Sequence, residues 1–97
     1  MFDQMKQLME VKRQAERLKK ELESARIEVK DVQGITIVVN GTQSVQSLVC
    51  DEGLLVPAQK TRLEADLLRA FNAAVKKSQD FAAQKMRSMP GLNIPGM

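Results

Sequence analysis

Apolar residues recur at steps of three and four along the first quarter of the chain, which predicts a helix from about residue 3 to residue 26. Polar residues occupy its other faces. A helix of this length extends about 36 Å at 1.5 Å per residue. That is longer than a small domain can cover, so part of the helix is expected to project or to pair with another helix. The apolar stripe consists of Leu8, Val11, Ala15, Leu18, Leu22 and Ala25.

The apolar period then changes to two, which predicts β-strands. Residues 27–32 alternate between two faces, and Gln33-Gly34 marks a turn. The β-branched run 35–39 predicts a second strand, and a third strand follows at about 45–50. Short turns between the strands favour antiparallel pairing.

Asn40-Gly41 ends the second predicted strand. We interpret Gly41 as a turn residue with positive φ, because neither a following helix start nor a Lys-Ser/Thr pair supports a phosphate-binding loop. Asp51 is a candidate cap for a short turn through Leu54 and Leu55.

A second long helix is predicted from near Pro57 to about Met89, where Pro90-Gly91 ends it. Its apolar stripe is expected to pack on the sheet. The stripe comprises Leu63, Leu67, Phe71, Ala74, Ser78 and Phe81, widened by Leu68, Ala70, Val75 and Ala82.

The elements make one α+β domain over residues 1–89, in the order helix, three-stranded antiparallel sheet, helix. Residues 90–97 form a tail with two prolines and two glycines, which cannot continue the helix and is predicted to be mobile. A chain of 97 residues buries only about 60 to 65% of the surface that its unfolded form exposes. Any apolar surface left over therefore needs a partner.

Composition excludes several classes of function. With three Phe, no Trp and no Tyr, the chain has too few aromatic rings to stack the bases of a single strand, whereas binding to a duplex backbone needs none. No segment has the roughly 18 apolar residues of a membrane span, and charges at Asp3 and Lys6 argue against a signal peptide. A cytosolic protein is expected.

Catalysis and cofactor binding also have little support. Cys50 is the only cysteine and the chain has no histidine, so the commonest metal ligand and general base are missing. Cys50 is better interpreted as a small apolar residue at a strand end than as a nucleophile. We predict no enzyme activity, no metal, no cofactor and no small-molecule substrate.

Charge is sorted by segment. Residues 1–26 hold seven Lys/Arg against five Asp/Glu, residues 27–56 hold one against four, and residues 57–97 hold seven against three. The net charge of +3 is therefore unevenly distributed: the two predicted helices are basic and the predicted sheet is acidic. This distribution favours binding of a polyanion by the helices. The candidate DNA-binding residues are Lys12, Arg13, Arg17, Lys20, Lys76, Lys77, Lys85 and Arg87.

A purely structural role for these cations stays open. Five pairs on the first helix are spaced for surface ion pairs, and Lys85 and Arg87 would also offset the macrodipole at the end of the second helix. Arg13 and Arg26 lack an acidic partner four residues away, whereas Asp66 neighbours both Arg62 and Arg69. The five pairs are Lys6-Glu10, Lys12-Glu16, Glu16-Lys20, Arg17-Glu21 and Lys19-Glu23.

Several segments, in this order, resemble the YbaB/EbfC family of bacterial nucleoid-associated proteins, and the resemblance spans nearly the whole chain. They are Val38-Val39-Asn40-Gly41, then Val45 to Val49 and Asp51 leading to Leu54-Leu55, then Leu67-Leu68-Arg69-Ala70-Phe71-Asn72-Ala73-Ala74, and the tail Gly91 to Met97.

The resemblance implies a homodimer whose sheets join in a hub, whose helices project, and which binds duplex DNA with low sequence preference in the nucleoid. The turn at 31–34 is shorter than the Gly-rich loop usual in the family. Any DNA contact made by that loop would be missing here.

The sequence therefore predicts a homodimeric, nucleoid-associated protein that binds duplex DNA mainly through phosphates and acts on gene expression. The alternative is a protein-interaction module that uses the first helix as a dimerisation or partner seam without binding DNA.

Overall fold

The computed structural model describes residues 2–88 and confirms the predicted α+β architecture. The first helix, α1, spans Phe2–Ser24, and the second, α2, spans Lys60–Ser88. Between them lie three strands, β1 (Ile27–Val29), β2 (Ile35–Val39) and β3 (Val45–Cys50), followed by single 3-10 turns at Glu52–Leu54 and Pro57–Gln59. The predicted tail at 90–97 lies outside the described residues, so its mobility and the domain boundary at residue 89 stay predictions.

The three strands form an antiparallel sheet in the order β1-β2-β3. Ile37 occupies the centre, opposite Val29 of β1 and Leu48 of β3. A register irregularity between Val38 and Val39 shifts the pairing with β3. In this order β1 and β3 are the edge strands, and neither has a strand partner on its outer side among the described residues.

The core lies between this sheet and α2. Apolar side chains of β1 and β2 are almost fully buried, and they meet the small residues Ala70 and Ala74 of α2. Alanine lets the helix approach the sheet closely, so the β-branched side chains fill the space between the layers. The strand residues of this core are Val29, Ile35, Ile37 and Val39.

One flank of the predicted α2 stripe does not pack on the sheet. Leu68 is 65% exposed, and Phe71 and Val75 are also exposed. The reason is that α2 lies over β2 and β1 and leaves β3 uncovered. The expectation that these three side chains are buried is wrong for the single chain.

The two long helices make the molecule elongated. Its extents are 69 × 25 × 15 Å and its radius of gyration is 18.7 Å, whereas a compact chain of about 100 residues has a radius of gyration near 13 Å. From Asp3 to Arg17 every residue of α1 except Gln14 is exposed. The predicted projection of α1 is present in the single chain.

Gly34, in the turn between β1 and β2, has a φ of +86°. A Cβ at this position would lie 2.9 Å from Leu54 Cδ1, so the 3-10 turn after β3 packs against the glycine. Asp51 precedes that turn, but its side chain makes no capping hydrogen bond. The capping role predicted for Asp51 is wrong, since the local backbone bonds close the turn instead.

Gly41 also departs from its interpretation. The positive φ in the β2–β3 turn belongs to Gln43, at 65°, and not to Gly41. Glycine is required at position 41 because α1 passes close to this backbone: a Cβ there would lie 2.8 Å from Leu22 Cδ2 and 3.0 Å from the Leu22 carbonyl oxygen. The last turn of α1 rests directly on this backbone.

None of the helices in the described range is long and apolar enough to cross a membrane.

Candidate functional site

Four cations form a row along α1, on the side of the helix opposite its apolar stripe. Lys6, Arg13 and Lys20 are seven residues apart, and Arg17 lies beside them. Seven residues correspond to almost two helical turns, so side chains at this spacing return to the same face about every 10.5 Å. We call the set Lys6, Arg13, Arg17 and Lys20 the basic ridge.

The basic ridge is open to solvent. All four residues are exposed, and none of them lies within 4.0 Å of an acidic group in residues 2–88. Of the five ion pairs suggested by spacing on α1, only Lys19–Glu23 forms in that range, with a separation of 4.0 Å between Nζ and Oε1. The ridge can therefore offer its positive charge to an external anion.

Three ridge residues, Arg13, Arg17 and Lys20, are among the candidates predicted from the sequence, and Lys6 is not. The seven-residue repeat through Arg13 and Lys20 is the signal that would have included it. Lys12, also a candidate, is exposed but lies about 100° of helical rotation from Arg13, at the flank of the ridge.

On α2 a second line of cations faces away from the sheet, and we call it the outer row. Two of its arginines share one carboxylate: Asp66 Oδ1 accepts from Arg69 Nη2 at 2.5 Å, and Asp66 Oδ2 lies 3.8 Å from Arg62 Nε. Asp66 is itself buried, at 6% exposure. The outer row consists of Arg62, Arg69, Lys76 and Arg87.

The other candidates on α2 have partners of their own. Lys77 Nζ donates to Asp31 Oδ1 at 2.6 Å, which links α2 to the segment after β1. Lys85 Nζ lies 3.9 Å from Glu21 Oε2 and 5.6 Å from the centre of the Phe81 ring, so it bridges α2 to α1. These two cations hold elements together as well as carrying charge.

Two remaining candidates on α2 are exposed. Lys76 makes no ion pair within residues 2–88, and Arg87 Nε donates to the Ala83 carbonyl at 3.4 Å, within its own helix. The structure thus separates the eight candidates into exposed cations and bridging cations. Their contact with DNA stays a prediction.

The arrangement suits binding of an extended anion rather than catalysis. Within residues 2–88 no group of three or more His, Cys, Asp or Glu side chains is placed to hold a metal ion. Cys50 is a half-buried free thiol at the end of β3, packed against the core. Ammonium and guanidinium groups in rows bind phosphates through charge-assisted hydrogen bonds.

Comparison with known proteins points to the same chemistry. A model of the YbaB/EbfC DNA-binding family matches residues 1–92. A nucleoid-associated protein of Syntrophobacter fumaroxidans is 34% identical over 98 residues, covering 99% of this chain and 89% of the relative. Nucleoid-associated proteins of Clostridium kluyveri and Pelotomaculum thermopropionicum are 35% and 32% identical, covering 96% and 100% of this chain and 83% and 94% of those relatives.

Proposed function

The chain belongs to the YbaB/EbfC DNA-binding family, and from this premise we propose that it binds duplex DNA as a homodimer, mainly through phosphates and with low sequence specificity. It is a DNA-binding protein of the nucleoid, and hence of the bacterial cytoplasm. The family is one of DNA-binding proteins and not of enzymes. We assign the chain no reaction.

The basic ridge is the observation that carries this proposal. Lys6, Arg13 and Lys20 span about 21 Å along α1, which is less than the roughly 34 Å of one turn of B-DNA. One arm can therefore contact several phosphates of the same duplex. Each neutralised phosphate releases condensed counterions, which provides affinity without any base contact.

Low specificity follows from the chemistry of the ridge. Phosphate contacts fix the orientation of a protein on DNA but carry no sequence information. Bound copies would limit the access of other proteins to the same DNA. This is the route by which we propose an effect on gene expression.

The homodimer is supported by apolar surface that the single chain leaves exposed. Leu48 and Val49 of β3 are 45% and 62% exposed on a strand without an outer partner in the described structure. An unpaired, apolar edge strand is a template for pairing with another chain. We propose that two copies join along β3 and that the exposed flank of α2 (Leu68, Phe71 and Val75) covers the neighbouring sheet.

A salt titration tests DNA binding. Fluorescence anisotropy on two unrelated duplexes should give similar affinities, with log affinity falling linearly against log salt at about 0.9 per phosphate contacted. Eight ridge contacts, four from each arm, predict a slope near −7 by the same relation. An affinity that is indifferent to salt would reject the phosphate mechanism.

Sedimentation velocity tests the dimer. Leu48→Glu combined with Val49→Glu places charges on the proposed interface and should give a monomer. Thr61→Glu combined with Ala65→Glu, two exposed positions in the first turns of α2, adds the same charge as a matched control and should leave the dimer intact. A dimer that survives both changes on β3 must use another surface.

A protein-interaction module is the second candidate, and the uncovered half of α1 favours it. Met5 and Leu8 are 64% and 70% exposed, and Met9 and Val11 are exposed beside them. This apolar surface could receive a helix of another protein. Capture of a protein partner by a chain that fails to retard any duplex would support this candidate and reject DNA binding.

A further inference from the structure

The C-terminal end of α1 is held mainly by the β2–β3 turn, while within the helix Ser24 Oγ donates to the Glu21 carbonyl at 3.3 Å. Gly41 N donates to the Leu22 carbonyl at 2.7 Å, and Asn40 Nδ2 donates to the Glu23 carbonyl at 3.3 Å. The last carbonyls of a helix have no partner within the helix. Here the turn satisfies two of them and thereby fixes the helix end.

The same turn is tied to α2 by one hydroxyl. Ser78 Oγ donates to the Asn40 carbonyl at 2.7 Å and accepts from Gln43 N at 2.9 Å. Ser78 is fully buried, at 0% exposure. Its hydroxyl therefore satisfies two backbone groups of the turn, one of which is the N–H of Gln43, the residue with a φ of 65°.

Asn40 completes the arrangement from inside the turn. Its Oδ1 accepts from Thr42 N at 2.9 Å, from Thr42 Oγ1 at 2.8 Å and from Ser44 N at 3.0 Å. With its Nδ2 on α1 and its carbonyl on Ser78, the buried Asn40 side chain and backbone connect α1, the sheet and α2. We call Asn40, Gly41 and Ser78 the junction.

Few other contacts control the direction of α1. Leu18 is the only α1 side chain that is buried within residues 3–24, and Lys85–Glu21 is the ion pair to α2 in the described structure. Lys6 lies 16 residues from Leu22, about 24 Å along the helix. A rotation of about 10° at the junction would move Lys6 by about 4 Å, more than the 3.4 Å rise per nucleotide of one DNA strand.

We propose that the junction is a positioning device that sets the angle of α1, and hence which phosphates the basic ridge can contact together. The inference rests on the proposed function. Asn40, Gly41 and Ser78 touch no DNA in this scheme and act through the arm that they orient. A substitution that loosens the junction should widen the range of α1 angles, and hence of ridge positions, without changing the charge of the ridge.

Two variants perturb the junction in different ways. Ser78→Ala removes the hydroxyl that ties the turn to α2, and Gly41→Ala inserts a methyl group against the backbone of Leu22. Ser88→Ala is the matched control, because Ser88 is exposed and, within residues 2–88, its Oγ donates only to the Lys85 carbonyl of α2. None of the three changes the net charge.

Spin-label distances report the arm angle without DNA. Spin labels are attached at Gln7→Cys on α1 and Gln79→Cys on α2, in a Cys50→Ala background. The distance between the two labels of one chain is measured after dilution with unlabelled protein, so that a dimer contains at most one labelled chain. The distance distribution should widen or shift in Ser78→Ala and Gly41→Ala and stay unchanged in Ser88→Ala. An unchanged distribution in a folded junction variant overturns the proposal.

DNA binding supplies the second readout. Each phosphate that the ridge no longer reaches should reduce the salt slope by about 0.9, at equal helix content by circular dichroism. A changed distance with an unchanged slope also overturns the positioning role.

Failure of the proposed function is distinguishable from failure of this inference. If the unaltered protein itself shows no salt-dependent binding, the proposed function fails, whereas the distances still decide whether the junction sets the angle of α1. If Gly41→Ala unfolds, Ser78→Ala decides the outcome.

Discussion

The two long helices carry similar numbers of cations but use them differently. On α1 the basic ridge has no acidic partner in the described structure, whereas on α2 Arg62, Arg69 and Lys77 lie against carboxylates and Lys85 lies between the helices. Net charge alone would rank the helices the other way, since residues 57–97 hold fewer acids than residues 1–26. Availability to a ligand is thus decided by geometry and not by composition.

The difference follows from where each helix sits. α2 packs on the sheet, so carboxylates of the sheet segment and of its own turns come within reach of its cations. α1 contacts the rest of the molecule mainly through its last two turns, and the preceding part, which carries most of the ridge, is exposed to solvent. Because no ridge cation is paired within residues 2–88, binding a phosphate there breaks no ion pair of the described structure.

The largest expected effect comes from removing the ridge. Lys6→Ala, Arg13→Ala and Lys20→Ala together should lower the salt slope by about 2.7 per arm and weaken binding at low salt by more than about 100-fold. Alanine favours helix at exposed positions, so α1 should remain folded. Anisotropy on one duplex over a range of salt concentrations gives both quantities.

The matched variant removes three cations of the outer row, as Arg62→Ala, Lys76→Ala and Arg87→Ala. The net charge changes equally, but we expect less than about tenfold weaker binding, because Arg62 is already held near Asp66. Equal losses in the two triple variants would show that binding follows total charge, and the distinction between the helices would then be wrong.

An intermediate effect of opposite sign is expected at Asp66. Asp66→Asn releases Arg62 and Arg69 together, so DNA affinity at low salt should rise about threefold. The free energy of unfolding should fall by about 0.5 to 1 kcal/mol, since both guanidinium groups are largely solvated. Urea denaturation and anisotropy measure the two changes.

Glu64→Gln is the control for this substitution. It makes the same change in charge but releases only Lys60, whose Nζ lies 3.6 Å from Glu64 Oε1 in an exposed pair outside the outer row. Its affinity should rise by less than that of Asp66→Asn. An affinity that falls in Asp66→Asn would show that the carboxylate orders the arginines for binding instead of competing for them.

Sequence periodicity predicted the helices and strands because local patterns determine them. The steps of three and four located α1 and α2, and the β-branched run located β2, each within a few residues of the observed ends. The role of Gly41 was missed because it depends on contact with Leu22, 19 positions earlier in the chain, which no local pattern reveals. The exposure of Phe71 was missed for a similar reason: which strands α2 covers is decided by tertiary packing, and α2 leaves β3 uncovered.

The candidate site could be predicted only in part. Spacing along one helix identified the shared carboxylate of Asp66, and it could also have identified Lys6 as part of the ridge. The partners of Lys77 and Lys85 are Asp31 and Glu21, which lie far away in sequence and come close only through packing of separate elements. Ion pairs between residues far apart in sequence are therefore the part of the site that cannot be predicted without the three-dimensional structure.

The smallest and most discriminating prediction concerns the adjacent residues Lys76 and Lys77. Lys77→Ala should lower the free energy of unfolding by about 0.5 to 1 kcal/mol, because it removes the 2.6 Å contact with Asp31. The loss is small because solvent reaches nearly half of each side chain in this pair. Lys76→Ala should leave stability unchanged and weaken DNA binding slightly. Urea denaturation at a fixed protein concentration, with Asp31→Ala to close a double-mutant cycle, isolates the pair. A coupling of zero would mean that the contact adds no stability, and Lys77 would then belong with the exposed cations of α1 in this comparison.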